Sequence, residues 1–195
     1  MKEVSRRWPE RNRMQSDLMV SINFLERIGL GVKLQEGVSG FVEGVRIESG
    51  ILLVDPACRV SGLLHEAGHL ACIPTRFRHY MDDNLANGMR RMMSEIRELS
   101  LDPDHPLERA AIQCSDPEAT AWAWVAGIAL GLRFEQIIQD DEYDAGGAGI
   151  RMMLIANRYL GINGLAHAGM CKRGYFVDKA ECYPKMQCWL QTADV

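Results

Sequence analysis

The sequence lacks the features that would place the chain in a membrane or in an oxidising compartment. No apolar segment follows Met1, and no run of about 18 apolar residues occurs, so we expect neither a secretory signal nor a membrane span. The six cysteines include no C-x-x-C pair, which favours reduced, packed thiols. A zinc knuckle formed by Cys171, Cys182 and Cys188 is a less favoured alternative. We therefore expect a cytoplasmic protein.

The sequence also has no excess of positive charge. Its 195 residues carry a net charge of -4, which gives no reason to expect nucleic acid or an anionic membrane as a partner. Basic residues cluster only near the amino terminus, in a segment (1–15) that we expect to form a flexible arm. Repeats, low-complexity tracts and linkers are absent as well. Length and composition therefore predict one domain spanning residues 1–195.

The hydrophobic pattern predicts an α+β fold with a short antiparallel hairpin, one helix packed on it and a mostly helical carboxyl-terminal half. Strands are expected over 32–34, 41–47 and 51–54, the last two joined by a compact turn. Ser16, Asp55 and Ser115-Asp116 have the composition of helix N-caps, and Pro74 that of a helix stop. The predicted helices cover 16–28, 55–72, 85–99, 107–114, 116–130, 134–139 and 148–160.

Residues 65–69 read H-E-A-G-H, an H-E-x-x-H motif, inside the helix predicted over 55–72. Two imidazoles at i and i+4 project from one helical face at the separation that a single zinc ion can bridge. Glu66 lies between His65 and His69 and can take a proton from an attacking water. Gly68 weakens the helix, which indicates that another backbone approaches closely at this position. The motif therefore predicts a catalytic zinc site.

A catalytic zinc site uses three protein ligands and leaves a fourth position open, so a third ligand is needed. The metzincin extension would require glycine at 72 and histidine at 75. This chain has Cys72 and Thr75 at those positions, which excludes that class. The third ligand is therefore expected further along the chain.

Among the downstream residues, Glu118 is the preferred third ligand. It stands in the first turn of an otherwise uncharged helix, where Asp116 already provides an acidic cap. His79 and His105 have polar neighbours and are interpreted as surface histidines, with His79 the next choice. Three further glutamates lie beside arginines and are interpreted as solvated ion pairs: Glu95, Glu98 and Glu108.

These segments together resemble a small gluzincin, most closely the ImmA/IrrE-type minimal metallopeptidases. The similar parts are the amino-terminal helix, the hairpin, the L-L-H-E-A-G-H-L helix and the later E-A-T-A-W-A-W-V-A segment, covering roughly residues 20–132. The resemblance implies a metallopeptidase-like α+β domain in which the glutamate of the last segment, Glu118, is a zinc ligand. Trp124 stands where the family usually has phenylalanine, and the segment 80–105 has the character of an insertion.

The expected mechanism is hydrolysis of a peptide or protein substrate at zinc held by His65, His69 and Glu118. Glu66 is expected to act as general base and then to deliver the proton to the leaving amine. An oxyanion donor is sought among Tyr143, Tyr159 and His167, with His167 preferred because small residues surround it.

Two other classes of function remain open at this point. The chain could be a regulatory or interaction protein with a structural zinc site, although Glu66 has no use in such a site. It could also be a metal-dependent hydrolase of non-peptide substrates, which only substrate tests distinguish from a peptidase.

Overall fold

A computed structural model describes residues 8–194, with side chains from residue 15 onward. It confirms the α+β class. The strands are β1 (Val32–Leu34), β2 (Val45–Glu48) and β3 (Ile51–Val54), and two 3-10 helices cover Thr75–Tyr80 and Lys179–Glu181. The α-helices are α1 (Trp8–Ile28), α2 (Val60–Cys72), α3 (Leu85–Glu98), α4 (Pro106–Ile112), α5 (Asp116–Ala129), α6 (Phe134–Ile137), α7 (Glu142–Ala145), α8 (Gly147–Ile155) and α9 (Gly161–His167). Of these, α7 is a single turn whose backbone is left-handed at Tyr143 and Asp144. Within residues 8–194, no helix is long and apolar enough to cross a bilayer.

The three strands form one sheet in the order β1-β3-β2. The hairpin prediction is confirmed: β2 pairs with β3 antiparallel, while β1 pairs with β3 parallel. The continuous apolar strand β3 is therefore central, and Leu52, Leu53 and Val54 are buried. Three successive residues of β3 are buried, so both of its faces are covered, which is why its sequence does not alternate.

The strand predicted over 41–47 is shorter than expected and begins at Val45. Gly44 has φ +76°, a left-handed conformation that interrupts an extended chain. The backbone N–H of Phe41 donates to the Asp83 carboxylate at 3.0 Å, so a side chain rather than a strand satisfies it. The segment before Val45 is consequently a loop fastened to the region before α3.

Helix α2, which carries the H-E-x-x-H motif, begins at Val60 and not at Asp55. The prediction of Asp55 as its N-cap is wrong, because the Asp55 carboxylate accepts hydrogen bonds from Gly37 (2.6 Å) and Ala57 (2.8 Å) and closes a turn. The predicted stop at Pro74 is confirmed, with Ile73 as the C-cap residue. Twelve residues of this helix are buried, so it forms the centre of the hydrophobic core.

A buried arginine completes the carboxyl-terminal end of α2. Arg78, in a segment predicted to be a polar loop, donates to the carbonyls of Leu70 (2.8 Å), Ile73 (3.1 Å) and Gln191 (3.1 Å). Two of these carbonyls belong to the last turn of the helix and its cap, where no intrahelical partner is available. Burial lowers the pKa of the Arg78 guanidinium to about 10.

Two further helices, α1 and α8, each differ from the prediction at one boundary. Helix α1 begins at Trp8, so Ser16 is an interior residue and not an N-cap. Residues 8–15 of the predicted flexible arm are helical, and residues 1–7 lie outside the described part. The helix predicted over 148–160 ends at Ile155, close to Asn157 with φ 54°, and the unpredicted α9 follows.

Helices α2 and α5 pack against each other with almost no space between their backbones. A Cβ atom at Gly68 would lie 2.5 Å from the carbonyl oxygen of Ala119 and 2.9 Å from its Cα. Only a residue without a side chain fits this crossing. The expectation that another backbone approaches Gly68 is confirmed, and the contact places the first turns of α5 beside the two histidines.

Gly68→Ala tests this contact. The added methyl group meets backbone, which cannot rotate away, so we expect a loss of about 1–3 kcal/mol of unfolding free energy, as in overpacked cores. Gly149→Ala in α8 is the matched control, because a Cβ there meets nothing within 4 Å. That variant should gain up to about 1 kcal/mol from helix propensity. Denaturant unfolding of the metal-free proteins measures both; equal stability of the two variants would contradict the account.

Candidate metal centre

Helix α2 presents His65 and His69 to one side, as the i and i+4 spacing predicts. The two Nε2 atoms lie 3.2 Å apart, and the rings meet nearly edge to face at 87°. His69 is buried and His65 is partly buried. The two nitrogens therefore converge on one point beside the helix.

A carboxylate from α5 completes the group. Oδ1 of Asp116 lies 3.1 Å from Nε2 of His69 and 3.8 Å from Nε2 of His65. Ligands about 2.0–2.1 Å from a tetrahedral zinc ion are separated by about 3.3–3.4 Å, so the three observed separations fit such a centre. In the part of the chain that the structure describes, this is the one group of three potential metal ligands drawn together.

Glu66 lies in the same pocket, which has a volume of about 370 Å³. Its side chain is buried, and burial raises its pKa, while the nearby His69 and His65 lower it. The pKa of Asp116 shifts the other way: hydrogen bonds with His65 and His69 hold it well below the ordinary value. The two carboxylates of this pocket therefore have pKa values shifted in opposite directions.

The structure does not bring Glu118 to the histidines. Its carboxylate accepts hydrogen bonds from the backbone N–H (3.1 Å) and the hydroxyl (2.6 Å) of Ser115, the N-cap of α5. A Cβ atom at Gly164 in α9 would overlap the same carboxylate. Glu118 is therefore buried between α5 and α9, where it caps a helix. Its assignment as a zinc ligand stays a prediction that this geometry does not favour.

The helical repeat explains why Asp116 and Glu118 differ. Residues two apart on a helix point about 200° away from each other, so only one of the two can face α2. Because Ala119 touches Gly68, the face containing Asp116 and Thr120 is turned to the histidines. The sequence showed both carboxylates but not which side of α5 packs on α2. No local sequence signal distinguishes Asp116 from Glu118 as the ligand.

A second layer of polar groups lies behind His65. The hydroxyl of Tyr143 is 3.1 Å from Nδ1 of His65, and the hydroxyl of the buried Thr120 is 3.5 Å from the same nitrogen. The two hydroxyls are 3.0 Å apart. Tyr143 therefore contacts the ring on the side away from Asp116, so in this position it is not an oxyanion donor. Tyr159 is partly buried, and burial raises the pKa of its hydroxyl.

His167, the preferred oxyanion donor, is an exposed residue at the end of α9, and its Nε2 lies 3.9 Å from the Asp104 carboxylate. Its predicted catalytic role stays a prediction without support from a contact to α2. His79 is exposed, and His105 accepts a hydrogen bond from Leu107 as the cap of α4.

All six cysteines are free thiols, and residues 171, 182 and 188 do not form a metal cluster within the described chain.

The wall of the pocket opposite α2 comes from residues that sequence reasoning missed. Phe41 is 90% exposed at the pocket, and the start of α3 contributes Asn84, Leu85 and Ala86. Asp83 joins the two parts through its bond to the backbone of Phe41. No motif marks these residues, because loops distant in sequence meet there only in the folded chain.

Paired substitutions distinguish Asp116 from Glu118 as metal ligand. Asp116→Asn and Glu118→Gln each remove one charge and keep the side-chain shape. We expect Asp116→Asn to weaken zinc binding at least about tenfold, because it removes a ligand charge, and Glu118→Gln to leave it within about threefold. Chelator competition on the purified proteins measures both. Lost zinc in Glu118→Gln with normal zinc in Asp116→Asn would return the ligand role to Glu118.

Comparisons with protein-family models, with curated proteins and with solved structures found no match to this chain. The resemblance to the gluzincins therefore depends on the motifs themselves, and function must be inferred from the site. The site consists of two convergent imidazoles, one carboxylate facing them and a buried glutamate in the same pocket.

Proposed function

We propose that the chain is a zinc-dependent hydrolase, in particular a peptidase of the gluzincin type similar to the ImmA/IrrE-type metallopeptidases. His65, His69 and Asp116 would hold the metal ion. The observation that carries the proposal is the position of Glu66, a buried carboxylate in the pocket that the three candidate ligands line. Burial is unfavourable for a charged carboxylate, and a role in proton transfer explains why one is present here.

A zinc ion held by His65, His69 and Asp116 would supply Lewis acidity, which would polarise a substrate carbonyl and lower the pKa of a bound water. Glu66 accepts the proton of the attacking water and afterwards donates it to the leaving amine. Burial suits Glu66 to both steps, because the raised pKa makes the carboxylate a stronger base and keeps the proton available for donation.

The shape of the site supports a catalytic rather than a structural metal. Structural zinc is enclosed by four protein ligands, whereas catalytic zinc keeps a position open to solvent or substrate. Three potential ligands converge here among the described residues, and the pocket opens beside them. His65 is partly exposed and Asp116 is largely exposed, so small molecules can reach the point between them.

The pocket wall favours a substrate with apolar parts. Phe41 and Leu85 place hydrophobic surface next to the candidate ligands, and a peptide side chain can cover that surface. A peptide also provides the amide carbonyl and the leaving amine that the proposed proton transfers require.

Glu66→Gln tests the proposed function. The amide keeps the shape of the side chain but cannot accept the proton, so hydrolysis of unstructured protein or peptide mixtures should fall by at least about 100-fold. Zinc content should remain near that of the wild type, because Glu66 is not among the three candidate ligands. Amine release and bound zinc are measured on the same samples.

Glu98→Gln on the exposed face of α3 is the matched control and should leave amine release unchanged. Full hydrolysis by Glu66→Gln would refute the mechanism. Zinc binding by a wild type that hydrolyses neither peptides nor simple esters would support a structural or regulatory metal site instead.

A further inference from the structure

We infer that Tyr143 is a positioning residue whose hydroxyl holds His65 in the orientation and tautomer that bind the metal ion. This inference depends on the proposed metal site and adds a residue outside the three ligands. It follows from the contacts of the two imidazole nitrogens of His65, which face different partners.

Nε2 of His65 faces Nε2 of His69 and the Asp116 carboxylate, whereas Nδ1 faces the Tyr143 hydroxyl at 3.1 Å. An imidazole that binds a metal ion through Nε2 uses that lone pair, so its proton is on Nδ1. The Nδ1–H then donates to the Tyr143 oxygen. With the metal bound, this hydrogen bond stabilises the tautomer that leaves Nε2 free for the ion and holds the ring in place.

The Tyr143 hydroxyl is itself oriented by a buried partner. Having accepted from His65, it donates to the Thr120 hydroxyl at 3.0 Å, and Thr120 is completely buried on α5. Asp116 lies one helical turn before Thr120 on the same face. Helix α5 thus carries both Asp116, which faces Nε2 of His65, and Thr120, which bonds to Tyr143 on the Nδ1 side of the ring.

The backbone around Tyr143 has an unusual conformation. Tyr143, Asp144 and Ala145 have φ values of 56°, 55° and 62°, so three successive residues with side chains are left-handed. Such conformations are unfavourable and persist where the surrounding structure imposes them, often at functional sites. The turn is fixed at its start by the Glu142 carboxylate, which accepts from the backbone N–H of Gln139 at 2.8 Å.

His69 has no comparable support. Its Nδ1 atom is buried and has no hydrogen-bond partner among the described residues. The hydrophobic core holds the His69 ring, because His69 is buried more deeply than His65. His65 is the more exposed ligand and the one whose ring needs a hydrogen bond to stay in place, so loss of the Tyr143 hydroxyl should reduce metal affinity.

Tyr143→Phe removes the hydroxyl and keeps the ring. We expect the dissociation constant for zinc, measured by chelator competition on the full chain, to rise about 10- to 100-fold, the range observed when such outer partners are lost. The melting temperature of the metal-free protein should be unchanged. Tyr175→Phe, at a fully exposed tyrosine, is the matched control and should bind zinc like the wild type.

Thr120 provides the second test. Thr120→Val should weaken zinc binding in the same direction, Thr120→Ser should restore it, and the double variant with Tyr143→Phe should lose less than the product of the two single losses. Zinc affinity of Tyr143→Phe within twofold of the wild type would overturn the inference. So would a lower melting temperature without metal, since that indicates a structural role. A wild type that binds no zinc would refute the proposed site itself.

Discussion

The close contact between Gly68 and Ala119 is the constraint on which the candidate site depends. It brings the backbones of α2 and α5 together directly before His69, at the first turn of α5. Because both helices are rigid and buried, the separation of His69 and Asp116 follows from this crossing. Arg78 then holds the carboxyl-terminal end of α2 through the carbonyls of Leu70 and Ile73.

Charge balance gives a second reason to place a cation at this point. The pocket contains Glu66 and Asp116, two carboxylates, beside two imidazoles that are neutral when they bind a metal ion. Asp83 adds a third carboxylate at the pocket, although it is occupied by the backbone of Phe41. The buried Glu66 carboxylate is costly without a positive partner, and a divalent ion between the histidines and the exposed Asp116 would offset the charge of both carboxylates. The arrangement of the three candidate ligands and the negative charge of the pocket thus both favour a divalent cation.

Features governed by local sequence were predictable. The H-E-x-x-H helix, the hairpin, α3 and α5 all follow from periodicity, turn residues and prolines, and Gly68 correctly indicated the close approach of another backbone. Features governed by tertiary contacts were not. Asp55 has the composition of an N-cap but binds the backbone of Gly37, which is distant in sequence. Asp116 and Glu118 each have the chemistry of a ligand, and only the packing of α5 between α2 and α9 separates them.

The most direct test of the central claim is a crystal structure of the zinc-loaded protein with diffraction data collected at the zinc absorption edge. The account predicts one anomalous peak, about 2.0–2.2 Å from Nε2 of His65, Nε2 of His69 and a carboxylate oxygen of Asp116. A peak bonded to Glu118 instead of Asp116, or no peak near the two histidines, would contradict it.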